Sequence, residues 1–158
     1  MDRTSKDAGQ ALLDAASGVL DNGDVFGIYP EGTRSPDGRI YKGRTGVARV
    51  AMATGAPVVL TAMIGTRDAN PIGTSIPRPA KVRIKISEPI DPHEWARENG
   101  YDPESREVIR PFTDYVMHEL SGLSGYPYVD AYASEVKKTL EETGEYPEGT
   151  EPGGALER

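Results

Sequence analysis

Cysteine is missing from the 158 residues, which excludes disulfides, thiolate nucleophiles and Cys-ligated zinc. His93 and His118 are the only histidines, and 25 positions separate them. A catalytic zinc site wants about two or three His beside a carboxylate, so no metal site is expected. No apolar run approaches the roughly 20 residues needed to span a bilayer. The longest, residues 56–65, suits a buried strand. No apolar core follows Met1–Lys6, so a signal peptide is not expected and a cytoplasmic address is. There is one tryptophan, Trp95, and it stands between Glu94 and Arg97, weak material for a membrane-interface anchor.

What is plentiful is glycine and proline, 18 and 13 residues, which implies many turns. The length suits one domain that buries a real core. The net charge of -7 conceals an asymmetry. Residues 1–87 hold 12 Lys/Arg against 8 Asp/Glu, and residues 88–158 hold 6 against 17. A basic first part beside an acidic end points to an anionic partner for the first part, or to a plain core with a solvating acidic tail.

Along the chain, Ala8, Ala11, Leu12, Ala15, Ala16, Val19 and Leu20 recur at helical spacing and Asn22-Gly23 ends the pattern, predicting a helix over 5–21. Residues 24–29 (DVFGIY) read as a short strand stopped by Pro30. Ser35-Pro36-Asp37-Gly38 is a turn signature. Val47, Val50 and Ala51 share a helical face over 44–54, with Gly55 as its cap. Residues 57–64 (PVVLTAMI) read as a strand buried on both faces of a parallel sheet. Residues 66–79 read as a long loop. Residues 81–87 alternate, with Val82, Ile84 and Ile86 expected inward and Lys81, Arg83 and Lys85 outward. Helices are expected over 91–100, from Asp102 to about Leu120, and over 130–143. The domain is expected to cover 1–142, with 143–158 a disordered acidic tail.

The chemistry concentrates after residue 29, in Tyr29-Pro30-Glu31-Gly32-Thr33-Arg34-Ser35 and then Lys42-Gly43-Arg44. In α/β folds, ligands bind outside the carboxyl ends of strands. Gly32 lets backbone approach a ligand closely, Thr33 and Ser35 offer hydroxyls, and Arg34 offers a planar fork suited to phosphate. Arg34, Arg39, Lys42, Arg44 and Arg49 face a single acid, Asp37, within residues 34–49. Lys42 and Arg44 stand where a helix begins, a place that already attracts anions. The basic stretch reads as an anion site, or as a solvated cationic loop. It carries no nucleic-acid-binding motif and lies in an acidic protein, so nucleic acid is not an expected partner.

Residues 26–35 (FGIYPEGTRS) resemble the FPEGTRS block of the glycerophospholipid acyltransferases of the 1-acyl-glycerol-3-phosphate O-acyltransferase type. Ala56-Pro57-Val58-Val59-Leu60 resembles the family's next block, with Leu60 where a second proline is usual, and Asp2-Arg3 resembles the end of an earlier one. The resemblance covers roughly residues 1–90 and extends more loosely to about 140. It implies an α/β fold, a partial acyltransferase fold with a mixed or parallel sheet flanked by helices. It implies acyl transfer from acyl-CoA or acyl carrier protein, a co-substrate and not a cofactor, to lysophosphatidic acid, giving phosphatidic acid. By carry-over, Arg3, Glu31, Gly32, Thr33 and Arg34 bind the acceptor's glycerol phosphate. Glu31 would hydrogen-bond the acceptor or backbone, or pair with a neighbouring Arg and fix the loop. Lys42 and Arg44 are further contacts for phosphate or coenzyme A. The resemblance also implies a peripheral membrane contact at the inner face of the cell membrane. The family's catalytic base is a His-x4-Asp motif. Neither His93 nor His118 fits it, so no catalytic residue is assigned, and the chain is expected to be an incomplete form. The alternative is a domain that binds anions or phospholipids without catalysis.

Overall fold

The computed structural model describes residues 3–71 and 76–153, with the side chains of residues 3–8 left out. Its elements in chain order are α1 (Arg3–Asp21), β1 (Ile40–Tyr41), α2 (Gly46–Thr54), β2 (Thr61–Ile64), α3 (Thr66–Ala69), β3 (Arg83–Ile86), α4 (Pro92–Glu98), α5 (Ile109–Ser124), β4 (Tyr128–Val129) and α6 (Ala133–Thr143). The chain divides into two compact units. One comprises Met1–Pro30, Arg44–Leu60 and Ser87–Val116, and the other Glu31–Gly43, Thr61–Ile86 and Met117–Arg158.

The first unit is helical. Helix α1 packs on α2, where a Cβ on Gly46 would lie 3.0 Å from Leu12 Cδ2 and 3.5 Å from Ile28 Cδ1. The lack of a side chain there is what permits the close approach. Helix α2 buries Val47, Ala48, Val50, Ala51 and Met52 and ends on left-handed Gly55, whose N–H reaches the Ala51 carbonyl. Asp91 caps α4 by accepting from the His93 and Glu94 N–H groups, with Pro92 at the first helical turn. The His93 ring fastens α4 to α2 through Nε2, 2.8 Å from the Met52 carbonyl oxygen. Trp95 then stacks on Tyr115 at 5.0 Å and meets the edge of Phe112 at 5.1 Å, joining α4 to the start of α5.

The second unit is mixed. Strands β1 and β4 pair in parallel, Ile40 beside Tyr128 and Tyr41 beside Val129. Tyr41, Val129, Ala133 and Val136 form its buried cluster, with Leu140 and Tyr146 packed against it. Strands β2 and β3 pair antiparallel, with Met63 opposite Ile84.

The α/β class stands, and several expectations are corrected. Residues 24–29 form no strand and have no ladder partner among the described residues, with Val25 92% and Tyr29 78% exposed. A β-prone run becomes a strand only where a ladder partner lies alongside. The strand over 57–64 shortens to β2, runs antiparallel and buries one side, Leu60 and Ala62, leaving Val59 and Met63 exposed. The alternating residues of β3 are not inward: Ile84 and Ile86 are 61% and 65% exposed. Helix α5 starts at Ile109 because residues 102–107 form turns, in which Asp102 accepts from the Glu104 and Ser105 N–H groups. The expected disorder after residue 143 does not hold for residues 144–153: Tyr146 packs on the buried cluster and Thr150 is buried. Residues 154–158 of that expected tail lie outside the described residues.

Candidate functional site

The loop Glu31–Gly43 opens the second unit, and its conformation follows from its residues. Gly32 takes a left-handed φ of 69°, and Gly38 one of 93° at the end of the Ser-Pro-Asp-Gly turn. Ser35 Oγ accepts from the Gly38 N–H and donates to Asp37, and Asp37 also accepts from the Arg39 N–H, so the turn closes on its own side chains. Beyond it, β1 is pinned by Ile40 N–H to the Pro127 carbonyl at 2.9 Å and by Lys42 N–H to the Ala131 carbonyl at 3.0 Å.

Arg39 is the loop's anchor. Its guanidinium pairs with Asp37 Oδ2 at 2.6 Å and donates to the Tyr41 hydroxyl, the Thr150 carbonyl and the Glu151 carbonyl. Tyr41 donates in turn to Asp37 Oδ2 at 3.0 Å. Burial pushes the Asp37 carboxyl up, but the Arg39 bonds outweigh it and hold the group below its ordinary range. Burial first, and then the bond to Asp37, push the Tyr41 phenol up. This network fixes the segment 146–151 against the loop.

Glu31 differs. It is half-buried, accepts from the Tyr41 backbone N–H, and has a buried Oε2 with no hydrogen-bond partner. Burial raises its pKa from 4.5 to about 7, against smaller opposing effects of the Tyr41 N–H and the Lys137 charge. Among the described residues it pairs with no arginine; the arginine–carboxylate pair of this loop is Arg39 with Asp37. Of the two expected roles of Glu31, the described residues show the bond to backbone.

Of the other carried-over residues, Gly32 is exposed, Thr33 Oγ1 accepts from Lys137 Nζ at 2.9 Å, and Arg34 Nη2 donates to the Asn70 carbonyl at 2.8 Å. These three and Glu31 lie together in the second unit. Lys42 pairs with Asp130 at 2.8 Å and lies 5.9 Å from the Tyr132 ring centre, so its charge is met by an acid already. Arg44 belongs to the first unit, where it is exposed and its N–H donates to the Pro30 carbonyl at 2.7 Å. The Arg3 side chain lies outside the described residues. The residue that sequence reasoning missed is Lys137. The signal existed: Ala133, Val136, Lys137 and Leu140 follow helical core spacing, and one of the four is a lysine.

Among the described residues, neither histidine ring is hydrogen-bonded to an aspartate. His93 is bonded to a main-chain carbonyl, and exposed His118 packs its ring 4.3 Å from that of Tyr128. Among the described residues no group of three or more His, Asp or Glu could hold a metal ion, and no helix is long and apolar enough to cross a membrane.

Comparison with known proteins bears on the same segment. The family model described as Acyltransferase matches residues 1–64, which contain the Glu31–Arg34 loop. A 1-acyl-sn-glycerol-3-phosphate acyltransferase of Cocos nucifera is 30% identical over 99 residues, covering 62% of this chain and 32% of that protein. The chloroplastic BAT2 form of Brassica napus is 41% identical over 73 residues, covering 46% of this chain and 21% of that one. The crystal structure of the 1-acyl-sn-glycerophosphate (LPA) acyltransferase PlsC from Thermotoga maritima superposes with a TM-score of 0.54 at 35% identity, covering 70% of this chain and 43% of that one. The chain therefore spans about a third or less of the length of the curated relatives it matches. Sequence blocks, family model and shared fold agree in what the chain is similar to, the acyltransferase family that includes the 1-acyl-sn-glycerol-3-phosphate acyltransferases.

Proposed function

We propose that this chain serves acyl transfer to lysophosphatidic acid, giving phosphatidic acid, and that the Glu31–Arg34 loop holds the acceptor's phosphate. The observation that carries the reading is the loop itself. The family block Pro30–Ser35 runs into the Ser35–Gly38 turn, which Arg39 holds through Asp37, with Thr33 and Arg34 hydrogen-bonded and the Glu31 carboxyl of raised pKa in the same loop. The family model that covers the block, at residues 1–64, and the relatives named for this activity support the assignment. The donor is an acyl thioester, acyl-CoA or acyl carrier protein. In the transfer, the acceptor hydroxyl attacks the thioester carbonyl, the new ester forms, the thiol leaves, and a base takes the hydroxyl proton. The 158 residues assign no group to that base. The phosphate loop fixes the acceptor so that its hydroxyl meets the thioester in one orientation. A lipid acceptor and product suit peripheral contact at the inner face of the cell membrane.

A second reading has its own observation. Because neither histidine fits a His-x4-Asp arrangement, a domain that binds a phospholipid headgroup without chemistry is the alternative. Thiol release from a long-chain acyl-CoA, with and without lysophosphatidic acid, separates the two. Release that depends on the acceptor establishes the transferase. Binding of the acceptor with no release establishes the binding domain. Arg34→Ala weakens the acceptor under either reading, and unchanged acceptor affinity in that variant refutes both.

A further inference from the structure

Helix α6 buries Ala133 and Val136 and packs Leu140 against the same cluster. Lys137 occupies the remaining core-side position of that stripe and is half-buried. Lysine reaches such a position by laying its aliphatic stem along apolar surface and directing its ammonium to a chosen place. Here that place is the phosphate loop: Nζ donates to Thr33 Oγ1 at 2.9 Å, across 104 residues of sequence. The adjacent Lys138 is exposed and pairs with Glu142 at 3.8 Å. Lys137 has no ion-pair partner among the described residues, although residues 117–153 are strongly acidic. Arg34, next to Thr33 in the chain, is likewise met by a neutral oxygen, the Asn70 carbonyl. Lys137 and Arg34 are thus bonded to neutral acceptors while acids elsewhere in the unit go to other partners. Thr33 takes one of three ammonium donors of Lys137. Glu31, whose Oε2 is buried without a partner, lies within the field of the same charge.

We propose that Lys137 is a binding residue of this site, donating from α6 to the phosphate monoester of the acceptor that the Glu31–Arg34 loop receives. The proposal rests on the reading of that loop as the acceptor-phosphate site. An arriving phosphate supplies the charge that Thr33 and Asn70 do not, and the Lys137 ammonium meets it with its two remaining donors. Arg34 gives a planar fork, and Lys137 a point charge on a flexible stem whose root is fixed by the packing of Val136.

The test titrates the full 158-residue chain with lysophosphatidic acid in neutral detergent micelles and, separately, with coenzyme A, whose phosphates share the chemistry. Lys137→Gln is expected to weaken lysophosphatidic acid about tenfold, with Lys137→Arg and Lys138→Gln each within about twofold of the parent. Equal effects of Lys137→Gln and Lys138→Gln overturn the proposal, because they reduce Lys137 to general surface charge. A loss confined to coenzyme A overturns the assignment to the acceptor. If Arg34→Ala weakens binding and Lys137→Gln does not, the loop reading survives and the Lys137 assignment falls. If neither weakens it, both fall. Should Lys137→Gln unfold, chemical acetylation of the parent decides: protection of Lys137 but not Lys138 by lysophosphatidic acid supports the proposal, and equal labelling with and without ligand overturns it.

Discussion

Replacing Arg39 with alanine tests whether the buried network, and not the turn alone, sets the shape of the loop. Arg39 is 7% exposed, and the side chain of its partner Asp37 is 9% exposed. The substitution removes the ion pair, the donor to the Tyr41 hydroxyl, and the donors to the Thr150 and Glu151 carbonyls. Breaking a buried pair by deleting one partner costs about 3–5 kcal/mol, chiefly because the other charge stays behind uncompensated. A domain of this size is stable by roughly 5–15 kcal/mol, so the variant retains a fold but loses a large part of its margin. Asp37→Asn should lose less, since it leaves no bare carboxylate, and the double variant should lose about as much as Arg39→Ala alone, giving a coupling of roughly 2 kcal/mol or more. Urea unfolding of the four proteins measures this. Protease cleavage between Gly144 and Glu151 should speed up in Arg39→Ala, because that segment loses the bonds that hold it. A loss under about 1 kcal/mol for Arg39→Ala, or additivity of the two substitutions, refutes the reasoning and leaves the network an incidental contact.

Glu31 predicts a pH dependence of opposite sign to the usual carboxylate. Its folded pKa of about 7 exceeds the ordinary 4.5, so the folded chain holds more protons between those values; the contribution is complete below 4.5 and lost as pH rises through about 7. The full shift corresponds to about 3.4 kcal/mol and, discounted by about half for remaining solvent access, to roughly 1.5 kcal/mol between pH 5 and 8, absent in Glu31→Gln when urea midpoints are compared. Asp37 acts in the other direction: its depressed pKa gives stability that is present above its ordinary 3.8 and lost as pH falls through the folded value, and Asp37→Asn should flatten the acid limb of the same profile. Gly65→Ala should cost about 2 kcal/mol or more, because Gly65 has a φ of 88° and a Cβ there would lie 2.5 Å from the Lys81 carbonyl oxygen. Thermal unfolding checks that. His93→Ala should lose about 1 kcal/mol through the Met52 carbonyl and leave lysophosphatidic acid affinity unchanged; a selective loss of affinity would contradict its structural role.

Helices were the legible part of this sequence because their signals are local. Gly55 marked the end of α2, and the apolar stripe of α1 showed from Ala8 to Leu20. The turn at Ser35–Gly38 was equally legible, since its side chains bond within four residues. Strands fared worse for a reason of the same kind. Two-residue strands such as β1 and β4 carry no period to detect, and their pairing spans 88 positions from Ile40 to Tyr128. Conversely, residues 24–29 have β propensity without a paired neighbour among the described residues, and the alternation of Val82, Ile84 and Ile86 marks a face that stays exposed. Alternation reports which residues share a side, and burial needs something laid against that side.

The site divides along the same line. Which residues belong to the loop was readable from Pro30–Ser35, because the family block is contiguous. How the loop is held was not, because its fasteners come from the far end of the chain. Lys137 reaches Thr33 over 104 positions, and the Thr150 carbonyl reaches Arg39 over 111. The acidic C-terminal region is therefore the frame of the basic loop. Its acidity and its order are compatible because main-chain carbonyls, tyrosine rings and a lysine make most of its contacts to the loop, with Asp130 meeting Lys42, while most of its carboxylates face solvent. It follows that truncating the chain after Gly144 should weaken acceptor binding as well as stability, by removing Tyr146, Thr150 and Glu151 from Arg39 while leaving every residue of the family block in place. An isothermal titration of the truncated chain with lysophosphatidic acid should show a weaker Kd than the full chain. Equal affinity would mean that the Ser35–Gly38 turn holds the loop unaided.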